Sequence, residues 1–554
     1  MFISRSKFQT KSGKTYQSAL LRESYRENGR VKKRTIANLT HCSEQEINAI
    51  ELALTHKHDL SALGSLSDAI SIKEGHSIGG VWVIYQVAKK LGIVEALGNS
   101  QDGKLALWQI FARVLEQGSR LSSIRLNETY AFASVLSLKN GFNEDALYKN
   151  LAWLANHQTR IEDFLFVRNK RNSTLFLYDV TSSYLEGTEN SLAEWGYNRD
   201  GKKGKKQIVV GLLADEEGNP ISIEVFTGNT NDLTTFHSQI EKARQRFGCK
   251  QVTFVGDRGM IKSCQIEDLK KHGFHYITAL TRKQIDTLVK NNVVQYELFD
   301  DTVCEVVDGS IRYIFRRNPI RAQEIQENRE SKKRSIELFV EKQNQYLREH
   351  RKAKETTACT RVTEKIKKLE VNDWAKVTVE DRKLIVCFDN DALKKYEELD
   401  GCYVIKTDLQ KENCNTQTIH DRYKDLALVE SAFRTCKSVL ELRPIHVRLK
   451  ASTYGHVLVV MLSYMIIRYL DQQWSSLYLT VEEGLRSLNT LTLQEVMVKG
   501  HAPFQQIPEP RKQNKQMLQT LGIELPKILP KSNVRVVTRK NRRKSVKNPI
   551  DKSL

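Results

Sequence analysis

The spacing of hydrophobic positions changes several times along the chain, and each change predicts a different kind of element. Residues 1–40 alternate apolar and polar positions around SYRENGRVKKRTIANL. A period of two belongs to a half-buried strand, and the Asn28-Gly29 pair supplies the turn of a tight hairpin. A small basic β unit is expected here, then a charged helix over 43–56 and a linker over 57–76. From 78 to 170 apolar residues recur at helical spacing, in GGVWVIYQVAKKLGIVEAL, LALWQIFARVLEQ and EDALYKNLAWLANH.

At 173 the pattern turns to strands. TLFLYDV reads as a buried strand, and KQIVVGLLADEEGNPISIEVF as two strands joined at a Glu-Glu-Gly-Asn turn. FHSQIEKARQRFG (236–248) is helical and closes on a glycine. QVTFVGDRGM is a strand, KSCQIEDLKKHG a helix and HYITAL a further strand. The order β-β-β-α-β-α-β predicts a mixed α/β sheet with helices packed on it. Residues 290–410 interrupt it with a β stretch (294–316), a charged helical stretch (321–370) and the strands KLIVCF and GCYVIKT. The charge within 321–370 reads as a solvated helix face. Helices over 422–440 and 455–470 follow, and VLVVMLSYMII (457–467) is too short to span a bilayer. The tail NVRVVTRKNRRKSVKN (533–548) has little to bury and is expected to stay disordered until it meets a polyanion.

Six segments result. They are a basic N-terminal β/helical unit with linker (1–76), a helical region (77–170), a first sheet portion (171–290), an insertion (291–410), the remainder of the sheet domain (411–480) and a C-terminal region with a basic tail (481–554). A chain of 554 residues exceeds one ordinary core. Its 40% hydrophobic and 28% charged content is that of a folded, soluble protein. The balance of 87 Lys+Arg against 66 Asp+Glu, a formal net charge of +21, changes the picture by favouring a polyanion, most simply nucleic acid. In that light the 77–170 helices read equally as a packing domain or as a DNA-binding one. Nine scattered cysteines form no CxxC pair, which suits a reducing cytoplasm and argues against a zinc or disulfide framework. MFISRSKFQTKSGK has no apolar signal core, so a cytoplasmic location without a membrane partner is expected.

The candidate chemistry begins with two acids on apolar strands. Asp179 ends the run LFLYD, and Asp257 ends VTFVGD. A carboxylate beside a sheet core is costly unless it is paired or bound to a cation. Two such strands side by side would bring like charges together, and a divalent cation would relieve the repulsion. DRYKDLALVESAFRTCKSVL offers a third acid. Its apolar stripe is Leu426, Val429, Phe433, Cys436 and Leu440, and Tyr423, Glu430 and Lys437 recur every seven residues along one edge of that stripe.

These motifs resemble the DDE transposases of bacterial insertion sequences, in the class whose third motif is Tyr-x2-Arg-x3-Glu-x6-Lys. The first acid lies in YDVTSSYLEG, the second in VGDRGM and the third motif in Tyr423, Glu430 and Lys437; GNTNDLTTF (228–236) is similar to a stretch the family places between the two Asps. The resemblance covers roughly 170–470. It implies a ribonuclease-H-like mixed sheet with flanking helices, interrupted by an insertion domain between Asp257 and Glu430. It also implies that Asp179, Asp257 and Glu430 hold two Mg²⁺ or Mn²⁺ ions, about 4 Å apart in such two-metal sites. The implied reaction cleaves double-stranded DNA at the element's ends and transfers the freed 3′-hydroxyl into target DNA, with a dimer on the DNA. Lys437 would contact a phosphate near the scissile bond, and Tyr423 would meet the same DNA end. Arg258, Arg434 and the run of Lys202, Lys203, Lys205 and Lys206 are further candidate DNA contacts, and Trp195 and Trp374 candidate base-stacking residues that core or surface packing explains better. One position departs from the pattern: Leu426 stands where the motif has Arg, with Arg422 and Arg434 as nearby substitutes. Two other readings stand beside this one, a ribonuclease-H-like nuclease without strand transfer and a non-catalytic DNA-binding derivative of a transposase.

Overall fold

The computed structural model describes residues 1–9, 15–58, 70–169, 174–197, 199–295, 299–498, 504–527, 529 and 534–538. The alternating N-terminal stretch forms β1 (Phe2–Gln9), β2 (Thr15–Glu27) and β3 (Arg30–Asn38), paired antiparallel in that order. Asn28 and Gly29 take φ of 50° and 75°, the left-handed pair such a hairpin requires. The charged helix, Glu44–Thr55, opens with a capping box in which Ser43 and Glu46 satisfy each other's backbone N–H. Of the stretch read as a linker, 59–69 lie outside the described residues. Ile70–Ser77 is a strand, β4, paired antiparallel with Thr492–Val498. Its mostly exposed residues belong to a small sheet and carry no apolar face, which is why no strand signal stands in the sequence.

Between Gly79 and Arg168 the chain is largely helical and ends in the long helix Glu144–Arg168, capped by Asn143. Next come β5 (Leu175–Tyr184), β6 (Gln207–Asp215), β7 (Pro220–Thr227), β8 (Thr253–Gly256) and β9 (His275–Ala279), with helices Asp232–Glu241 and Ser263–Lys271 flanking β8. The expected element order therefore holds. β5, β6 and β7 pair antiparallel, while β8 pairs parallel with both β5 and β9. Parallel neighbours need crossovers, and the two helices provide them. The strand order β7-β6-β5-β8-β9 is the ribonuclease-H-like sheet. The first of these helices starts four residues earlier than its apolar pattern, because Asn231 caps it by accepting the Leu233 N–H.

The interruption does two things. It supplies β10 (Cys304–Asp308), β11 (Ile311–Arg317), the hairpin β12 (Ala375–Glu380) and β13 (Lys383–Phe388), and β14 (Cys402–Thr407). β10, β11 and β14 extend the mixed sheet past β9, so among the described residues eight strands form one sheet. The charged stretch is two helices, Pro319–Glu349 and Glu355–Lys368, which pack with the β12–β13 hairpin around a separate core of Ile336, Val362, Ile366, Trp374 and Leu384. The helix expected over 422–440 is likewise two, Thr416–Lys424 and Leu426–Ser438, offset at Asp425. Of the basic tail only 534–538 is described, with Val536 bridging to Phe142, and 539–554 lie outside the described residues.

The apolar helix Lys450–Trp474 ties these parts together. It packs on helices Glu144–Arg168 and Gln101–Leu115 and on β7, and its most apolar window is 83% buried, as in the core helix of a globular domain. One core cluster therefore runs from the helical region into the sheet. The closest crossing is at Gly455, where a Cβ would lie 1.9 Å from the Leu151 carbonyl oxygen. Alanine is the better helix former, but here it must push two helices apart. Gly455→Ala is expected to destabilise the protein by roughly 1–3 kcal/mol, measured by chemical denaturation of the full chain.

Candidate active site

The site is built midway along β5: the sequence pattern ends the strand on Asp179, but β5 continues through Thr181-Ser182-Ser183 to Tyr184, paired with β6 throughout. Phe176, Leu177 and Tyr178 are fully buried, and Phe176 and Tyr178 enter one core cluster while Leu177 enters the other. Asp179 falls on the Leu177 face and is half-buried. Tyr178 is in register with Gly256 on parallel β8, so the next residue on each strand, Asp179 and Asp257, emerges at the same sheet edge. Each carboxylate accepts the backbone N–H of its successor, Val180 and Arg258, at 2.7 Å. The third acid comes from helix Leu426–Ser438, which packs on β5 through the buried stripe of Leu426, Val429, Phe433 and Cys436. Glu430 stands exposed beside that stripe.

Asp179, Asp257 and Glu430 line a single cavity of about 370 Å³, together with Arg199, Asp232, Arg434 and Lys437. Burial pushes the Asp179 carboxyl up to about 7, and the like charges of Asp257 and Glu430 add to it. The Val180 N–H and the Arg199 guanidinium pull the other way. Among the described residues no three acidic, histidine or cysteine side chains are gathered closely enough to hold a metal ion as they stand. Arg199, Arg434 and Lys437 line the same cavity, but the like-charged carboxylates still repel one another, and a spread arrangement is what that repulsion favours.

The row of residues along the stripe survives the break at Asp425. Tyr423, on the preceding helix, donates its hydroxyl to Asp257 Oδ1 at 3.5 Å, and burial with the Asp257 charge raises its phenol above the usual range. Lys437 lines the cavity and donates to Asp200 Oδ1 at 2.9 Å. Leu426 is buried in the core stripe, so an arginine there would have no path to the cavity without leaving the helix's packed face. Arg422 is paired with Asp425 at 3.3 Å, whereas Arg434 is exposed at the cavity wall.

Residues 170–466, over half of the chain, match the family model described as "Transposase DDE domain", and residues 3–64 match "IS1634 family transposase, N-terminal domain". The chain belongs to the DDE transposases of insertion sequences. No curated protein matches it. Among solved structures it is similar to piggyBac transposase in a synaptic complex with hairpin DNA, at 9% identity over 74% of this chain and 75% of that one, with a TM-score of 0.38. It is also similar to Mos1 transposase in a paired-end complex with the left transposon end, at 13% identity over 32% of this chain and 58% of that one, with a TM-score of 0.15.

The transposase's other sequence-predicted residues are scattered around this cavity. Arg258 is exposed and lines an adjoining cavity with Asp257 and Tyr423. In the 201–206 run Lys202 lies over the Tyr184 ring, Lys205 pairs with Glu186 at 2.6 Å, Lys206 pairs with Glu194 at 3.7 Å and Lys203 is exposed. Trp374 is core in the insertion, while Trp195 is 61% exposed. Three residues were not legible as site residues. Arg199 reaches the cavity wall and holds Asp232 at 2.6 Å, and Asp200 lies behind Lys437. Two signals were available: Asp232 lies within the family-like stretch GNTNDLTTF, and Asp200 is an acid embedded in the basic stretch NRDGKKGKK.

The strained ionisation of Asp179 has a stability consequence. Its folded carboxyl binds a proton more tightly than the unfolded chain does, so stability falls as pH rises from the ordinary 3.8 towards about 7. Asp179→Asn removes that penalty while keeping the acceptor for Val180. In chelator at pH 8 the variant is expected to be more stable than wild type by roughly 0.5–2 kcal/mol, with the difference shrinking as the pH of the denaturation experiment is lowered towards 4.

Proposed function

We propose that Asp179, Asp257 and Glu430 together hold two divalent cations, Mg²⁺ or Mn²⁺, and that the cavity between them cleaves and joins DNA strands. The observation that carries this reading is that acids from β5, the residue after β8 and helix Leu426–Ser438 line one cavity, where the charges of Asp257 and Glu430 add to the burial that raises the Asp179 carboxyl. An all-oxygen donor set suits hard cations rather than zinc, and the charge that makes these acids repel is the charge a cation would neutralise. Divalent-metal dependence is a property of the family. When bound, such ions activate the attacking water or DNA 3′-hydroxyl and stabilise the leaving oxygen.

The chain's own residues do the rest. Tyr423 restrains Asp257 through its hydroxyl, and β5 and β8 fix the first two carboxylates on rigid backbone. Lys437 and Arg434 present positive charge at the same wall, where a scissile phosphate would be held. Arg434, facing the cavity, takes the place of the arginine that Leu426 lacks, and Arg422, paired with Asp425, does not. This assigns the chain to the Tyr-Arg-Glu-Lys class with a displaced arginine. The nucleic-acid substrate is the double-stranded end of the element, with Arg258, Lys202, Lys203, Lys205 and Lys206 along the path of its backbone, and two chains pair two ends. The 77–170 helices, sharing a core with the sheet, brace the site.

Asp179→Asn and Glu430→Gln are expected to abolish cleavage of DNA carrying the inverted repeats that flank the gene. Binding of the same DNA, measured by gel shift, should persist in both. The wild-type reaction should require Mg²⁺ or Mn²⁺ and stop on chelation, and a pre-cut 3′-hydroxyl end should be joined to target DNA. Joining by either variant at the wild-type rate would refute the assignment; cleavage without any joining would favour the nuclease reading.

A further inference from the structure

Lys437 is held from behind by an acid to which no role has been assigned. Asp200 sits in the loop between β5 and β6, and its side chain is only 3% exposed. A single oxygen, Oδ1, accepts from Lys437 Nζ at 2.9 Å and from Arg443 Nη1 at 3.0 Å. The other oxygen, Oδ2, is buried with no hydrogen-bond partner. A buried carboxylate with one oxygen unsatisfied is costly, and such costs are kept where a group has work to do.

The loop is not free to drift. Leu185 N–H donates to the Lys206 carbonyl at 2.8 Å, Gly228 N–H to Leu192 at 2.9 Å and Glu186 N–H to Ile445 at 2.9 Å. Asn190 adds bonds to the Val447 carbonyl at 2.7 Å and the Thr453 hydroxyl at 2.9 Å. The first two bonds close the loop on itself and on the residue after β7, and those to Ile445, Val447 and Thr453 fasten it to the segment that follows helix Leu426–Ser438 and holds Arg443.

We propose that Asp200 is a positioning residue for Lys437: from the layer behind the cavity wall it fixes the ammonium group, kept charged, where a phosphate of the DNA end meets it. The proposal rests on the reading of Lys437 as a phosphate contact. Lys437 lines the active-site cavity and Asp200 does not, so the acid holds the lysine without standing in the phosphate's way. An ammonium group has three donors, and the bond to Asp200 leaves the others for the cavity. Asp200 thus steers the lysine and does not plug the site.

The charge balance around the lysine supports this. Burial lowers the Lys437 pKa, the Asp200 carboxylate raises it, and the neighbouring guanidinium groups of Arg443 and Arg199 lower it. Glu430 and Arg434 from its own helix, and Asp179 and Asp257 from the sheet, face the same cavity. Without Asp200 the lysine would be left among cations in a half-buried place, where losing its proton becomes cheaper.

Competitive acetylation of the DNA-free full chain across the alkaline range, read peptide by peptide by mass spectrometry, gives the ionisation midpoint of Lys437. Asp200→Asn is expected to lower that midpoint by roughly 1–3 pH units, the size of effect an adjacent opposite charge has. Arg443→Gln, at a position whose side chain is 38% exposed, is expected to raise it and keeps the test alive if Asp200→Asn does not fold. At saturating DNA, the alkaline limb of cleavage by Asp200→Asn should move down with the midpoint, and Asp200→Glu should recover part of it. Unmoved midpoints overturn the proposal. So does a moved midpoint with a wild-type pH profile of cleavage, which would leave Asp200 a stabilising residue only. Normal cleavage by Asp179→Asn would instead sink the catalytic reading, and the acetylation result would stand apart from it.

Discussion

Two acids distant in the chain can share one sheet edge only if their strands run the same way and in register, and the pairing of Tyr178 with Gly256 meets both conditions. Everything at the site follows from that pairing. β5 and β8 are the centre of the sheet, with β6 and β7 on one side and β9, β14, β11 and β10 on the other, so Asp179 is fixed by buried, paired backbone while Asp257 stands exposed just past the last residue of β8. Asp179, half-buried on β5, cannot retreat into solvent. Its ionisation is opposed by burial and by its neighbours, and the site is therefore poised for positive charge before any ligand arrives.

The third acid is supplied under looser control. Glu430 is held by a helix docked on β5 through its apolar stripe, not by the sheet itself. Helix packing tolerates small shifts that strand pairing does not. The site thus combines two acids set by strand register with a third set by helix packing. Tyr423, just across the offset at Asp425, links the two sides by its hydroxyl to Asp257.

Local chemistry made most of this readable in the sequence. Strands that are apolar to the last residue and then end on an acid stand out, and so does a helix whose buried stripe at three- and four-residue steps has a polar row on its edge. What could not be read depended on partners far along the chain. β4 has no apolar face of its own and is a strand only because Thr492–Val498 lies beside it. β10, β11 and β14 look like the strands of a separate insertion, yet they continue the sheet past β9, since an unpaired edge strand accepts whichever strand reaches it. The start of helix Asp232–Glu241 was hidden by a polar cap, Asn231, in a stretch that reads as a loop. Asp200 was invisible for a related reason: an acid among lysines reads as solvated surface, and only the folding of the loop against the segment after the helix buries it.

Charge in this transposase is therefore layered by depth. A net excess of +21 lies over the molecule as a whole, which draws DNA to it but says nothing about where a strand is cut. At the cavity the sign reverses, with Asp179, Asp232, Asp257 and Glu430 against Arg199, Arg434 and Lys437. Behind the wall it reverses again, with one buried carboxylate between Lys437 and Arg443. Each layer compensates the one in front of it, and each is anchored to backbone that the sheet holds in place. A polyanion drawn to the surface meets cations at the wall, while the acids beside them carry the strand's own sign and would repel it unless positive charge stood between them.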